Sequence, residues 1–396
     1  MPRILYNRFL LLIAGLGGLL YGIDVGIIAA ALLYVSKTID LSVGQISIIV
    51  AAVLGGSMVS SPLAGVLADW CGRKRMMIVS GLMFVTSVCI IVLSQGFVSL
   101  CIGRLLQGMS GGVIAVVVPL YLAECLGAEM RGRGTAIFQF MLTFGIVVAA
   151  SVGWFFTRQA ELAIAHAGGN AALIQAAQNH AWRSMFLAVI YPGVLFFAGA
   201  FVLSESPRWL RRKGRTDAAF RALLRSLPEE EARREMDEMS IVLQIPRKDA
   251  QATEGDSLLK RKYVIPFVLA CAVLFLNQTT GINSVLAFLV IILKQAGMSA
   301  MHATQGDVVV KVLNCVMTLV GVALVDRKGR RFLLRLGTGG IVLAFALGAL
   351  LFWGVESRRV DMKDKVVTAE VGNAVILPLD QQPLGGAPNG RAMITI

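Results

Sequence analysis

The sequence predicts an all-α integral membrane protein, and three observations predict it. Of the 396 residues, 56% are hydrophobic and only 15% are charged, where soluble domains carry about 25% charged residues. Mean hydropathy is +0.73, which implies more apolar surface than a water-facing fold can hide. The apolar residues also fall into nine runs, each near the roughly 20 residues a helix needs to cross a hydrocarbon core. Lipid is therefore the main solvent.

The runs lie at about 9–35, 46–68, 76–94, 98–123, 135–157, 184–203, 263–293, 308–325 and 332–354. The first is too long for a cleaved signal peptide and holds Asp24. Lys and Arg gather before span one and after spans two, four, six and eight, which places the N-terminus in the cytoplasm. Arg358, Arg359, Lys363 and Lys365 depart from that pattern, as long translocated segments do. The chain divides into a six-helix block at 1–204, a cytoplasmic linker at 205–262, a three-helix block at 263–354 and a polar external tail at 355–396. Within the linker, Phe220, Leu223, Leu224 and Leu227 stand at i, i+3, i+4 and i+7, the spacing of an amphipathic helix. Pro228 with Glu229, Glu230 and Glu231 opens a second one.

The net charge of +13 does not point to nucleic acid, because the basic residues lie between apolar runs instead of forming one polar patch. The six cysteines include no C-x-x-C pair and read as packing residues. His166, His180 and His302 sit in loop-like stretches without metal-ligand spacing. No phosphate loop, dinucleotide fingerprint or nucleophile elbow is present. The expectation is a protein with no cofactor, no metal and no catalytic residues, and not an enzyme.

An internal repeat organises the chain. Asp69, Gly72, Arg73 and Lys74 follow span two, and Asp326, Gly329, Arg330 and Arg331 follow span eight, both as D-x-x-G-R-K/R. Gly65 and Gly321 precede the two copies. A duplicated six-helix unit explains this, with spans seven to nine repeating spans one to three. Counterparts of spans four to six do not follow, so the chain reads as nine of twelve helices, truncated at the C-terminal side.

Two charges are expected well inside spans, Asp24 and Arg104. Each costs on the order of 3 kcal/mol at a helix centre and needs a partner or a task. At ~1.5 Å per residue, both sit about 8 or 9 Å below the outer surface of the hydrocarbon core. Gly18, Gly22 and Gly26 form a small-residue stripe along span one, and Asp24 points about 200° away from it. Opening or closing a water path would switch this carboxyl between neutral and charged forms, which proton coupling requires. A static ion pair that fixes two helices is the alternative.

Span seven carries Asn277, Gln278, Thr279, Thr280, Gly281 and Asn283 in its middle. Amides donate and accept, which suits a neutral polyhydroxylated ligand better than charge does. Gly281 can loosen the helix there, as midplane sites in transporters do. Interhelical hydrogen bonding is the plainer alternative.

The stretches LLYGID at 19–24, the first D-x-x-G-R-K/R loop at 69–74, GRLLQG at 103–108, PLYLAE at 119–124 with Arg131 and Gly132, ESPRWL at 205–210, NQTTGIN at 277–283 and the second loop at 326–331 occur together in this order. In them the chain resembles the sugar porter family of the major facilitator superfamily, and within it bacterial proton-coupled sugar symporters. The resemblance implies the major facilitator superfamily fold and proton-coupled symport of a monosaccharide or polyol by alternating access in a bacterial inner membrane. It assigns proton coupling to Asp24 with Arg104, and sugar binding to Gln139, Asn277, Gln278 and Asn283. It assigns gating to Asp69, Gly72, Arg73, Asp326, Gly329 and Arg330, and to Glu124 with Arg131 and Glu205 with Arg208. Asn277 stands where the family usually has Gln, and Ala287 where an aromatic is common, which implies a roomier pocket or one suited to another sugar. The partner of the first D-x-x-G-R-K/R loop is expected in a later helix beyond this chain. Uncoupled facilitation, a non-transporting sugar sensor and an inactive truncated chain are the other readings the sequence leaves.

Overall fold

Helix dominates the computed structural model, which describes residues 2–244, 261–356, 370–371 and 374–375. The helices are α1 Arg3–Thr38, α2 Val43–Cys71, α3 Arg73–Leu93, α4 Phe97–Cys125, α5 Ala128–His166, α6 Ala171–Ala188 and α7 Ile190–Val202. Three shorter ones follow, α8 Pro207–Arg212, α9 Thr216–Leu224 and α10 Glu229–Gln244. Then come α11 Arg261–Gln278, α12 Ile282–Gln295, α13 Ala300–Lys328 and α14 Arg330–Glu356. Glu370–Val371 and Ala374–Val375 pair as a two-stranded hairpin. Among the described residues, eight helical segments are long and apolar enough to cross a membrane.

The chain forms two compact units, Met1–Val320 and Gly321–Ile396. In the first, α1 is the central post, packed against α4, α5, α6, α7 and α12. Its glycine stripe allows this. A Cβ at Gly22 would overlap the Leu142 carbonyl oxygen of α5, so only glycine lets the two backbones meet there. Gly108 does the same for α4 against the Val53 carbonyl of α2. Local signals set the boundaries. Ser42 and Gln45 form a reciprocal capping box at the start of α2, and the Asn170 side chain accepts from the first turn of α6.

Three expectations are revised. The seventh span is two shorter apolar helices, α11 and α12, with the chain turning at Gly281 in the left-handed region at φ +76°. The sixth begins at Ala171 and breaks at Val189 between α6 and α7, where Pro192 has no N–H for the Ala188 carbonyl. The histidines are not in loops: His166 ends α5, His180 lies within α6 and His302 within α13.

In the linker, Trp209, Leu210, Ala219 and Ala222 form one small core and Leu223, Leu227 and Ala232 another. Residues 245–260 and most of 355–396 lie outside the described residues. The second unit holds the end of α13, α14 and the hairpin. The apolar window of α14 has no buried residue among the described residues.

Candidate functional site

The first element of the site is built where α1 meets α4. Arg104 Nη1 lies 3.2 Å from Asp24 Oδ1, and both side chains are no more than 1% exposed. The same nitrogen donates to Gln107 Oε1 at 2.8 Å, and the guanidinium lies 5.7 Å from the centre of the Phe186 ring. One carboxylate oxygen, Asp24 Oδ2, is buried without a hydrogen-bond partner among the described residues, as are Arg104 Nε and Gln107 Nε2. A Cβ at Gly111 would lie 3.4 Å from that oxygen and 3.0 Å from the Tyr21 ring, so glycine keeps space beside it. The geometry gives a buried ion pair between two helices, with one carboxylate oxygen left without a hydrogen-bond partner among the described residues. Gln107 was not singled out from the sequence, although its position at i+3 from Arg104 puts both on one face of α4.

The second element is the break between α11 and α12. Asn283 Nδ2 donates to Gln278 Oε1 at 2.8 Å across the Gly281 turn. The side chain of Asn277 lies outside the described residues. Gln139 is exposed on α5, and no hydrogen bond joins it to Gln278 or Asn283 among the described residues. A separate cavity of about 330 Å³ lies among α1, α5, α6 and α7, walled by Leu19, Ile23, Val148, Tyr191 and Leu195. Its apolar wall offers hydroxyl groups almost nothing to bond.

The third element gathers charges where α2 turns into α3. Arg73 is 1% exposed although it carries a full charge. Its guanidinium reaches Glu124 with Nε to Oε2 at 2.8 Å and Nη2 to Oε1 at 2.9 Å, Asp69 Oδ1 at 2.8 Å and the Ala68 carbonyl at 3.0 Å. Arg212 stands 3.4 Å from Asp69 and 3.7 Å from Glu124, and Ser206 Oγ donates to Glu124. Glu205 Oε1 accepts from the backbone N–H groups of Arg73 at 2.9 Å and Lys74 at 3.0 Å. A carboxylate distant in sequence thus caps the positive end of α3. Gly72, at φ +102°, admits it, since any Cβ there would collide with the Glu205 carboxylate.

This arrangement gives these charges partners that the motifs alone do not name. The charges of the first loop pair within α2, α4 and α8. Arg208 lies 4.0 Å from Glu235 on α10, while Glu205 Oε1 accepts from backbone donors. The side chains of Arg131, Asp326 and Arg330 lie outside the described residues, while Gly329 turns the second loop at φ +80°.

A fourth feature escaped the sequence reading. Asp307 and Lys311, on α13, form a 2.7 Å ion pair with both side chains 1% exposed. Apolar runs alone put span eight at about 308–325 and left this pair at its rim. The helix begins at Ala300 and carries both residues inside. The spacing D-x-x-x-K, which places acid and base on one helical face, was the available signal.

Known proteins align with most of the chain. The family model "Sugar (and other) transporter" matches residues 10–372. The glucose transporter GlcP of Staphylococcus epidermidis is 29% identical over 350 residues, 88% of this chain and 73% of that protein. The galactose-proton symporter of Escherichia coli K12 is 29% identical over 344 residues, 86% of this chain and 68% of its own length. Among solved structures, the xylose transporter XylE from E. coli superposes with a TM-score of 0.67 at 22% identity, covering 82% of this chain and 74% of that one.

Proposed function

This chain belongs to the sugar (and other) transporter family, and on that premise we propose that it carries a monosaccharide or polyol together with a proton across a bacterial inner membrane. It is a multi-pass membrane protein with the major facilitator superfamily fold. The N-terminus faces the cytoplasm, in keeping with the alternation of basic segments. Covalent chemistry has no part in this reading. The substrate is a small neutral polyhydroxylated molecule, the class named for the relatives that move glucose and galactose.

The observation that carries the proposal is the Asp24–Arg104 pair. A carboxylate removed from water, with one oxygen bound to a guanidinium and the other without a partner, has room for one proton. Protonation weakens its hold on Arg104, and losing the proton restores it. Because the two groups stand on different helices, this change biases how α1 and α4 pack. The amides at the α11–α12 break supply donors and acceptors for hydroxyls, with Gln278 and Asn283 bonded to each other until a substrate takes their place. Asn277 and Gln139 would complete the set. The ring of Asp69, Arg73, Glu124, Glu205 and Arg212 holds the cytoplasmic ends of α2, α3 and α4, and we assign it to gating together with Gly72, Arg131, Arg208, Asp326, Gly329 and Arg330.

The test is Asp24→Asn in proteoliposomes with D-galactose and D-glucose as probes. The variant is expected to lose proton-driven accumulation while exchanging labelled sugar at equilibrium. Undiminished accumulation would remove Asp24 from the coupling, and a parent protein that never responds to a proton gradient would leave uncoupled facilitation.

A further inference from the structure

Lys311 reaches beyond Asp307, whose Oδ2 it binds at 2.7 Å while Oδ1 is buried without a hydrogen-bond partner among the described residues. Lys311 Nζ also donates to the backbone carbonyl of Gly26 on α1 at 3.1 Å. Gly26 lies two residues beyond Asp24, in the turn whose other contacts are to Arg104 of α4 and to Ile146 and Ala149 of α5. A helical carbonyl that already accepts one N–H keeps a second lone pair, and Lys311 uses it. The buried residues of this part of α13 form one stripe, Ala303, Thr304, Asp307, Lys311 and Cys315, while Val309, Val310, Val312 and Leu313 are exposed. Thr143 of α5 donates to the Cys315 sulfur at 3.7 Å, so the stripe faces α5 as well as α1.

Buried charge is a poor choice for packing alone. Each ion loses its hydration, and a well-packed apolar pair of the same size holds two helices at least as well. The useful property of this pair is that acid and base share one helix. When α13 leaves α1, the ion pair travels with it, and among the described residues the polar contact the pair gives up is that from Lys311 to the Gly26 carbonyl. That is a contact which can be released without stranding a charge.

We propose that Lys311, held by Asp307, is a positioning residue that fastens α13 to the turn of α1 carrying Asp24 and lets go when the outer side opens. The proposal rests on the transport reading for its purpose, since it would tie access from outside to the helix that takes the proton. The contact itself can be tested without any sugar.

Thr304, one turn before Asp307 on the same stripe, is 1% exposed and serves as reporter when changed to cysteine. In Thr304→Cys protein in right-side-out vesicles, labelling by a membrane-impermeant maleimide is followed and the labelled peptide is identified by mass. Lys311→Met is expected to raise the labelling rate on the order of tenfold, the population change that loss of one charge-assisted hydrogen bond produces. Lys311→Arg keeps a cationic donor and is expected to restore most of the protection. If Lys311→Met does not fold because Asp307 is left unpaired, the double change Asp307→Leu with Lys311→Met removes both charges and is expected to give the same rise.

Unchanged labelling in a folded double variant overturns the proposal, as does a rise that appears only when inside-out vesicles are labelled. Faster labelling in a protein whose sugar uptake ignores the proton gradient would keep the fastening contact and discard the symport reading. Normal coupled uptake with unchanged labelling would do the reverse.

Discussion

Glu229 and Arg233 on α10, and Asp307 and Lys311 on α13, are ion pairs with the same spacing of four residues and the same 2.7 Å separation. Their surroundings differ completely. The α10 pair is 57% and 70% exposed, and the α13 pair is 1% exposed on both sides. In water such a pair contributes about 0.3–0.5 kcal/mol and is screened by salt. In the bundle each ion pays several kcal/mol of desolvation that the pairing must offset. Identical patterns thus mean a solvated surface in one region and a desolvated, costly pair in the other. Asp24 and Arg104 add a third arrangement, in which the buried partners stand on different helices and motion can separate them.

The largest effect expected from this contrast is on the interhelical pair. Arg104→Met leaves Asp24 without its cation and should lower stability by about 3–5 kcal/mol, read as thermal unfolding in detergent. A loss below about 1 kcal/mol would mean that Asp24 does not depend on Arg104, and the contrast would fail. Next comes the intrahelical pair. Removing both of its charges with Asp307→Leu and Lys311→Met should leave stability within about 1 kcal/mol of the parent, in either direction. A collapse of that double variant would show that the pair is structural. The smallest effect belongs to α10, where Glu229→Gln should cost less than about 0.5 kcal/mol and nothing measurable in high salt. A larger cost there would mean that spacing matters more than burial.

The membrane class, the long spans and the equal depth of Asp24 and Arg104 were legible in the sequence because they depend on hydropathy and a fixed rise per residue. The structure sets the two groups 3.2 Å apart. The break near Gly281 was legible as a loosening, since glycine inside an apolar run announces a turn, although not as two separate helices. Asp307 and Lys311 were missed because hydropathy windows end at charges, and a charged pair inside a span reads as the edge of the span. The capping of α3 by Glu205 was also out of reach, because nothing in the local sequence of either residue reports a contact across 132 positions.

The sequence by itself determined which solvent this protein lives in, roughly where its apolar stretches lie and which side chains are too costly to bury without a reason. Those are properties of composition and of helical period, and each residue contributes nearly independently. Only the tertiary structure decided which partner each buried group meets: Arg73 with Glu124, Arg104 with Gln107 as well as Asp24, and Lys311 with a carbonyl of α1. Partner choice depends on which helix faces approach, and that follows from side-chain and glycine packing summed over whole helices, which no local window contains.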